Sequence, residues 1–595
     1  MTGDRAQRHE ASGRGVPIHG HLPRRGEYLD RGAPATSGKF GRMFDLPPCE
    51  PSDRALVELS KVMFESADEA TSTEGDNSAV PAGYTYLGQF IDHDITFDPT
   101  SLQEQRIDPN ALENFRTPAL DLDSVYGGGP GVQPFLYRRA PDDTDLFEIG
   151  QTAPSKSGGD QSVRALPPLP HDLPRTAHGL ALIADPRNDE NLIVAQLHLA
   201  MLRFHNQIVR SFKNGSLPRE YPFSMSVFDE ARQTVVWHYQ WVVVNDFLRR
   251  IVDDRVLDEE LRRTETIYDG VQYPYMPVEF SMAAYRLGHS MVRDVYDYNR
   301  VFRPGGVAPA TLGLLFRFSG RSGARRSADP EPTPIPTDWV IDWERFFQFP
   351  GKPAPNLSRK LNAKLAPTLG QIPNVGNPHS PDPVEQAGNL ALRNLFRGRR
   401  AGLPSGQTVA KHYGVNGLHP DQIGDNSPDG KVARANNLHL DTPLWYYVLK
   451  EADVMGKGKH LGPVGSRIVA SVVVGLLKRD QLSYLNRRTP WQPTLPTAGQ
   501  PHQFKMSDLL AFAGAVNPLT SGSAADMVFR SMRELEAADT RLSSMRTTWQ
   551  TQRSSFGEEP NEFQAFRRHV LLVTGNPDPA GALDIGDDEP TGFRV

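Results

Sequence analysis

The chain has 595 residues, 65 Lys and Arg against 71 Asp and Glu, a formal net charge of −6 and 38% hydrophobic residues, enough to build a core larger than single domains usually reach. Its basic residues are dispersed rather than gathered in a stripe, which argues against nucleic acid as a partner. The single cysteine, Cys49, excludes an intramolecular disulfide and any cysteine-based zinc or iron–sulfur site. The N-terminus, MTGDRAQRHEASGRGVPIHG, has no apolar h-region. The longest apolar stretch, Ile468 to Leu477, falls short of the roughly 20 residues that span a bilayer. The expectation is a chain without a membrane span, cytoplasmic by default, with export by a route that needs no cleaved signal left open. Oligomeric state is not written in these patterns.

In chain order, residues 1–50 are rich in Gly, Arg and Pro without periodicity and predict an extended or disordered arm. A large single domain is expected over 51–550. Its first helix carries Leu56, Leu59, Val62 and Met63 at three- and four-residue steps, with Asp53 as N-cap. A central helix is predicted from about Asn191 to Lys213 and another from Phe228 to Val252, both apolar around most of their circumference. Further helices are expected at 279–293, 386–397, 464–480 and 525–540. Alternating strands are scarce, so the class is mainly α, a helical core with long irregular loops. Those loops are 127–178, 304–336, 352–386 and 398–440, rich in Pro, Gly, Ser and Asn. Residues 551–595 form a C-terminal extension, acidic after Asn576.

Four segments concentrate chemistry. Gln89-Phe90-Ile91-Asp92-His93-Asp94 sets one imidazole between two carboxylates, and histidine is the side chain best suited to moving a proton near neutral pH. Alone, the triplet reads equally as a helix-end cap, a solvated loop or half of a metal site. Thr117 to Asp123 places Asp121 and Asp123 two apart; with a threonine hydroxyl and a backbone carbonyl they make an oxygen shell suited to calcium, or simply a turn. Ala184 to Glu190 precedes the central helix, where Asp185 caps it with Pro186 at the first position. Arg187 and Glu190 there share a face, as a salt bridge or as paired site residues. In Tyr285-Arg286-Leu287-Gly288-His289 the glycine lets a bulky planar group approach, although a helical histidine is more often a core residue, as His198 and His205 are read to be.

The order and spacing of these pieces resemble the animal-type haem peroxidase superfamily, to which myeloperoxidase and the cyclooxygenases belong. Its distal motif G-Q-x-x-D-H-D stands here as Gly88 to Asp94, and its calcium loop matches at Thr117, Asp121, Tyr126 and Gly127, with Asp123 replacing the usual hydroxyl residue. Its R-x-G-H motif is Arg286 to His289, and its N-x-x-R-x-R-D-x-G-L-P segment is Asn394 to Pro404, departing from the family at Arg400 and Ala401. The persuasive matches lie as islands within residues 55–545.

The resemblance implies haem b and Ca2+ as cofactors. It makes His93 the distal histidine, Gln89 its pocket neighbour and Arg187 the distal arginine. His289 is implied as the iron ligand, Asn394 as acceptor of its Nδ1 proton, and Arg286 and Arg397 as haem-pocket residues, Arg397 near a propionate. Asp94, Thr117, the Ala119 carbonyl, Asp121 and Asp123 are implied to bind calcium. Asp92 and Glu190 match carboxylates that are ester-linked to haem in mammalian members, which leaves those links open to this chain. Asn191 stands where myeloperoxidase carries its sulfonium-forming methionine, so no such bond is expected and chloride oxidation should be weaker.

The activity implied is reduction of hydrogen peroxide coupled to oxidation of small organic, halide or pseudohalide donors. Two rivals are carried. One is a fatty-acid dioxygenase, whose radical tyrosine lies three residues before the proximal histidine, where this chain has Arg286; Tyr285, one position off, is expected to point elsewhere. The other is a binding or adhesion module that keeps the fold without turnover.

Overall fold

The computed structural model describes residues 38–97, 114–140, 143–154, 167–177, 179–271, 273–303, 310–317, 319, 334–372, 388–497 and 502–518. The expected helix at 525–540, the C-terminal extension and most of the N-terminal arm lie outside them. The architecture is mainly helical. Strands among the described residues make only two-stranded pairs: Phe40–Gly41 with Met276–Pro277, Asp76–Pro81 with Leu357–Arg359, and Val295–Tyr296 with Ala310–Thr311. One hydrophobic cluster runs from Phe40 to Ala515. No helix of the described residues is long and apolar enough to cross a membrane.

The helix Leu192–Lys213 lies at the centre, with 17 of its 22 residues buried, from Leu192 to Ser211. It packs against the helices Gly83–Ile95 and Val227–Val242. The latter continues through a π-helical turn at Val243–Leu248 to Arg249–Ile251, so the stretch predicted as one helix has a widened turn inside it. That turn presents Asp246, which accepts hydrogen bonds from the Tyr84 hydroxyl (2.7 Å) and the Met506 amide (2.9 Å).

Several boundaries differ from the sequence reading, each for a local reason. Ser52, not Asp53, caps the first helix, Asp53–Lys61, through its hydroxyl. Asp185 caps a 3-10 turn, Pro186–Asp189, and Asn191 caps the central helix by accepting from the Val194 amide. At the first helix the Ser52 hydroxyl takes the cap position and leaves Asp53 in the first turn. The stretch 279–293 is not one helix: Val278–Ser281 is α-helical, Ala283 breaks the run, and Ala284–Met291 is a 3-10 helix. Eight residues is long for that geometry, and such stretches often mark strain or function. The segment 398–440, expected as loop, holds the helices Gly406–Tyr413, Pro420–Ile423 and Pro428–Ala435. Ser405, His419 and Ser427 cap them, and two begin with proline, so the turn-forming composition there punctuates short helices.

The helix Gly83–Ile95 starts without a side-chain cap and depends on close packing instead. A Cβ on Gly83 would come within 2.5 Å of the Phe347 ring and 2.7 Å of the Phe346 carbonyl. We expect Gly83→Ala to lower unfolding free energy by about 1–3 kcal/mol, the usual cost of overpacking. Urea unfolding checks this, and an unchanged midpoint would show that the contact yields freely.

Candidate active site

On the helix Gly83–Ile95, Thr85, Gly88, Gln89 and Asp92 recur at three- and four-residue steps and form one face. That face walls a crevice whose other side is Tyr285, Arg286, Leu287, Gly288 and His289, and whose empty space out to its mouth is about 610 Å³. A Cβ built on Gly288 would meet nothing within 4 Å, so the 3-10 segment leaves open space beside His289 for a flat group. Tyr285 lines this crevice, contrary to the expectation that it points elsewhere. The 3-10 geometry completes a turn in about 3.0 residues, fewer than the α-helix assumed for it, which changes the direction each side chain takes, and Tyr285 also stacks on Phe280 at 4.6 Å between centroids. Its buried hydroxyl has no hydrogen-bond partner among the described residues, and burial, with Asp92 nearby, raises its pKa well above that of an ordinary phenol.

His289 Nδ1 lies 2.7 Å from Asn394 Nδ2, on the helix Leu390–Arg400, which leaves Nε2 toward the crevice. Here the amide nitrogen faces the ring, whereas ligation of a metal through Nε2 calls for the amide oxygen at that place. The two ends of the amide are nearly isosteric, and a half-turn of Asn394 exchanges them. Burial, then the charges of Arg286 and Arg397, push the His289 imidazole down to about 3, so at neutral pH it is uncharged and able to bind a metal. Arg286 is held by its Nε donating to Ser281 O at 3.0 Å. An uncharged imidazole on one wall and open space beside it fit a planar metal-bearing macrocycle.

The opposite wall carries a polar cluster. Gln89 Nε2 donates to Glu190 Oε1 at 2.5 Å, and Asn191 Nδ2 donates to Gln89 Oε1 at 3.0 Å. His93, 4% exposed, brings Nε2 to 3.3 Å from Glu190 Oε1. Its Nδ1 lies 2.8 Å from Asn188 Oδ1. Asp92 accepts from the Thr96 hydroxyl at 3.0 Å. Gln89, Asp92 and His289 therefore share one crevice, and Gln89 joins Glu190 and His93 to it.

Arg187 is engaged elsewhere. Its Nη2 donates to His93 O (2.9 Å), Thr96 O (2.6 Å) and Asp185 Oδ2 (2.7 Å), and its Nε to Asp185 Oδ1 (3.1 Å). The guanidinium lies over the Phe97 ring at 4.4 Å. Among the described residues only Nη1 is left to meet a ligand. Burial would raise Asp185, but Arg187 and Arg116 beside it hold its carboxyl well below the usual range.

A second cluster lies on the far side of the same helix. Asp94, Asp121 and Asp123 are all buried, and each offers a carboxylate oxygen within 4.8 Å of the others. The Ser124 hydroxyl (3.0 Å) and the Leu122 amide (3.3 Å) donate to Asp94, and the Thr117 amide to Asp123 (3.1 Å). Leu122 takes a left-handed φ of 59°, which folds the loop back on Asp94. Burial first, then Asp123 and Asp121, raise Asp94 well above the carboxylate range. Burial and Asp121 push Asp123 up to about 7. Asp123 Oδ1 is buried without a hydrogen bond among the described residues; Arg116 Nη1 is 3.7 Å from it and Arg116 Nη2 is 2.7 Å from Asp185. An all-oxygen, acid-rich shell with an orphaned oxygen suits a hard divalent cation such as calcium. Arg116, Ser124, Asn188 and His198 were not singled out as site residues by sequence reasoning. Asn188 is adjacent to Arg187, and Arg116 to Thr117, but no periodicity marks them.

A profile of the animal haem peroxidase family matches residues 104–306, which include the Thr117–Asp123 loop, Arg187, Glu190 and His289 but not Gln89 to Asp94 or Asn394. A peroxidase-like protein from Margaritifera margaritifera is 26% identical over 317 residues, 50% of this chain and 37% of that protein. Thyroid peroxidase from Rattus norvegicus is 27% identical over 429 residues, 66% of this chain and 41% of that protein. The chain thus spans about two fifths of the length of these curated relatives. In fold, peroxidase A from Dictyostelium discoideum superposes with a TM-score of 0.54 at 15% identity, covering 81% of this chain and 94% of the other. A fatty acid alpha-dioxygenase from Oryza sativa gives 0.50 at 12% identity, covering 84% and 83%. Such identities bear on the fold alone. The sequence likeness to the animal haem peroxidase family thus runs through the His289 segment, and the fold likeness extends over most of the chain.

Proposed function

We propose that the chain is a haem-dependent peroxidase that reduces hydrogen peroxide and oxidises small organic, halide or pseudohalide donors. The likeness to the animal haem peroxidase family over residues 104–306 implies haem. The observation that carries the activity is the placement of His289, paired with Asn394, in one crevice with Gln89, which links to His93 and Glu190. His289 would hold the iron, Asn394 would fix the ring, and Arg286 and Arg397 would face the carboxylates of the haem edge. When bound, haem supplies the redox centre at which peroxide is reduced and from which donors are oxidised.

The chain's own residues then manage protons and charge. His93 Nε2 takes a proton from the peroxide oxygen that stays and returns it to the oxygen that leaves. Gln89 and Glu190 set the polar boundary of that transfer. Arg187 anchors the end of the distal helix through the His93 and Thr96 carbonyls and offers Nη1 to developing negative charge. Asp94, Asp121, Asp123, Thr117 and the Ala119 carbonyl would hold calcium, tying the loop to the helix that carries His93. Asp92 and Glu190 are the carboxylates open to ester formation with haem. Asn191 caps the central helix and holds Gln89, work that needs its amide.

The test is a spectrum of the purified full chain before and after peroxide, with guaiacol and bromide as donors. Peroxide-dependent oxidation of either is expected; a Soret band with no turnover would leave a haem-binding module instead. Acid–acetone extraction is expected to leave haem on the protein if ester links form, and complete extraction excludes them. A second reading, fatty-acid oxygenation, draws on one feature: Tyr285 presents a buried, unpartnered phenol to the crevice. Oxygen uptake with linoleate or arachidonate decides it, and on the peroxidase reading none is expected.

A further inference from the structure

His198 and Asn188 stand outside every role given so far. His198 is fully buried on the central helix, facing Phe90 at 6.2 Å between rings. Its Nδ1 lies 3.0 Å from Asn188 Nδ2, while Asn188 Oδ1 lies 2.8 Å from His93 Nδ1. Asn188 itself is 0% exposed. The three side chains form a line, His198 to Asn188 to His93, which ends 3.3 Å from Glu190 at His93 Nε2.

An amide has one accepting and one donating end. If its nitrogen serves His198 Nδ1, its oxygen serves His93 Nδ1, and that ring nitrogen must carry the proton. The neutral imidazole then has its lone pair at Nε2, on the side of Gln89 and Glu190. Turned over, the amide would donate to His93 Nδ1 and place the proton on Nε2, where it blocks a base and donates to Glu190 instead. Burial pushes His198 down to about 3, so it is neutral; accepting at Nδ1 then places its own proton on Nε2, which is buried with no hydrogen-bond partner among the described residues.

We propose that Asn188 and His198 are positioning residues that hold His93 in its Nδ1-protonated tautomer, presenting Nε2 as the base toward peroxide. This rests on the peroxidase reading for its consequence, but the tautomer itself does not. Neither residue touches peroxide; they act through His93. The wrong tautomer of a catalytic imidazole can cost several orders of magnitude in turnover, and loss of an outer partner of an imidazole about 10- to 100-fold.

The experiment is 15N NMR of full-length protein labelled at histidine, as the haem-free chain and as the diamagnetic ferrous carbon monoxide form, with His93 assigned by its loss in His93→Gln. In wild type the expected signature is a protonated, pyrrole-like Nδ1 and a bare, pyridine-like Nε2. Asn188→Asp, which keeps an acceptor oxygen, should preserve it; Asn188→Leu and His198→Phe should lose it or show both tautomers. Alongside, Asn188→Leu should slow the reaction with peroxide about 10- to 100-fold while leaving the donor KM unchanged. His93 protonated at Nε2 in wild type, or insensitive to both positions, overturns the proposal. Should a variant fail to fold, as judged by circular dichroism, the wild-type tautomer still decides. If the chain proves not to turn over peroxide, the haem-free spectra answer separately from the peroxidase reading.

Discussion

His289→Ala is expected to abolish haem retention, reducing the haem-to-protein ratio and the Soret band to background, and peroxide-dependent oxidation with them. The argument is geometric. His289 is the imidazole on the crevice wall, its Nδ1 is occupied by Asn394, and Gly288 beside it leaves open space. Without that ring the crevice offers no other nitrogen ligand among its lining residues. The substitution removes a half-buried side chain from a short 3-10 segment, so the fold should persist, and circular dichroism checks that it does. His93→Ala is the contrasting variant. It leaves the iron ligand in place, so haem content should match wild type, while the reaction with peroxide slows about 10²- to 10⁴-fold, the usual worth of a positioned general base. Full haem occupancy in His289→Ala would displace the iron ligand to another residue. A His93→Ala protein that reacts with peroxide as fast as wild type would make the distal assignment wrong.

What the sequence made legible was helical periodicity and short motifs. The central helix emerged because Leu192 to Ile208 repeats apolar residues around most of a helix, a pattern no loop imitates. Gln89, Asp92, Asp94, Asp121, Asp123 and His289 could be named because their motifs, taken together and in order, resemble those of a known family, which no one of them does alone. What stayed hidden depends on tertiary contact. Asn188 looks like one more polar residue in a capped turn until His198, ten residues on, is folded against it. Arg116 gains meaning only when Asp185 and Asp123 close on it from two directions. Tyr285 was misplaced because its orientation follows from a 3-10 helix, and the apolar pattern over 279–293 suits α-helix equally well. The helices at 406–435 were missed for the opposite reason: their Pro, Ser and Gly mark starts and stops, but runs of eight residues are too short for periodicity to show.

Calcium is expected to stabilise the protein, and more strongly as pH rises through neutrality. Asp94, Asp121 and Asp123 converge in a buried site, where Arg116 lies 3.7 Å from Asp123 but is shared with Asp185. Without a cation, burial and the neighbouring carboxylates raise Asp94 well above the carboxylate range and Asp123 to about 7. For Asp123 the unfolded value is the ordinary one, near 4, and the folded value is higher, so the metal-free folded chain binds more protons between them. Its stability from this group is whole below pH ~4 and is lost as pH climbs toward 7. A divalent cation displaces those protons and reverses the loss, so binding should release protons and weaken as pH falls below about 7. At a hundredfold excess over its Kd, calcium should add about 2.7 kcal/mol, seen as a higher melting temperature at pH 8 than in EDTA and a much smaller gain at pH 5. Asp123→Asn should blunt the calcium response and, in EDTA at pH 8, melt above wild type, because it removes a buried charge that has no cation to meet. Identical melting in calcium and EDTA at pH 8 would refute the site. Since Asp94 adjoins His93 on one helix, a loss of calcium that lowers melting should also slow the reaction with peroxide, because a single peptide bond ties the cation's ligand to His93.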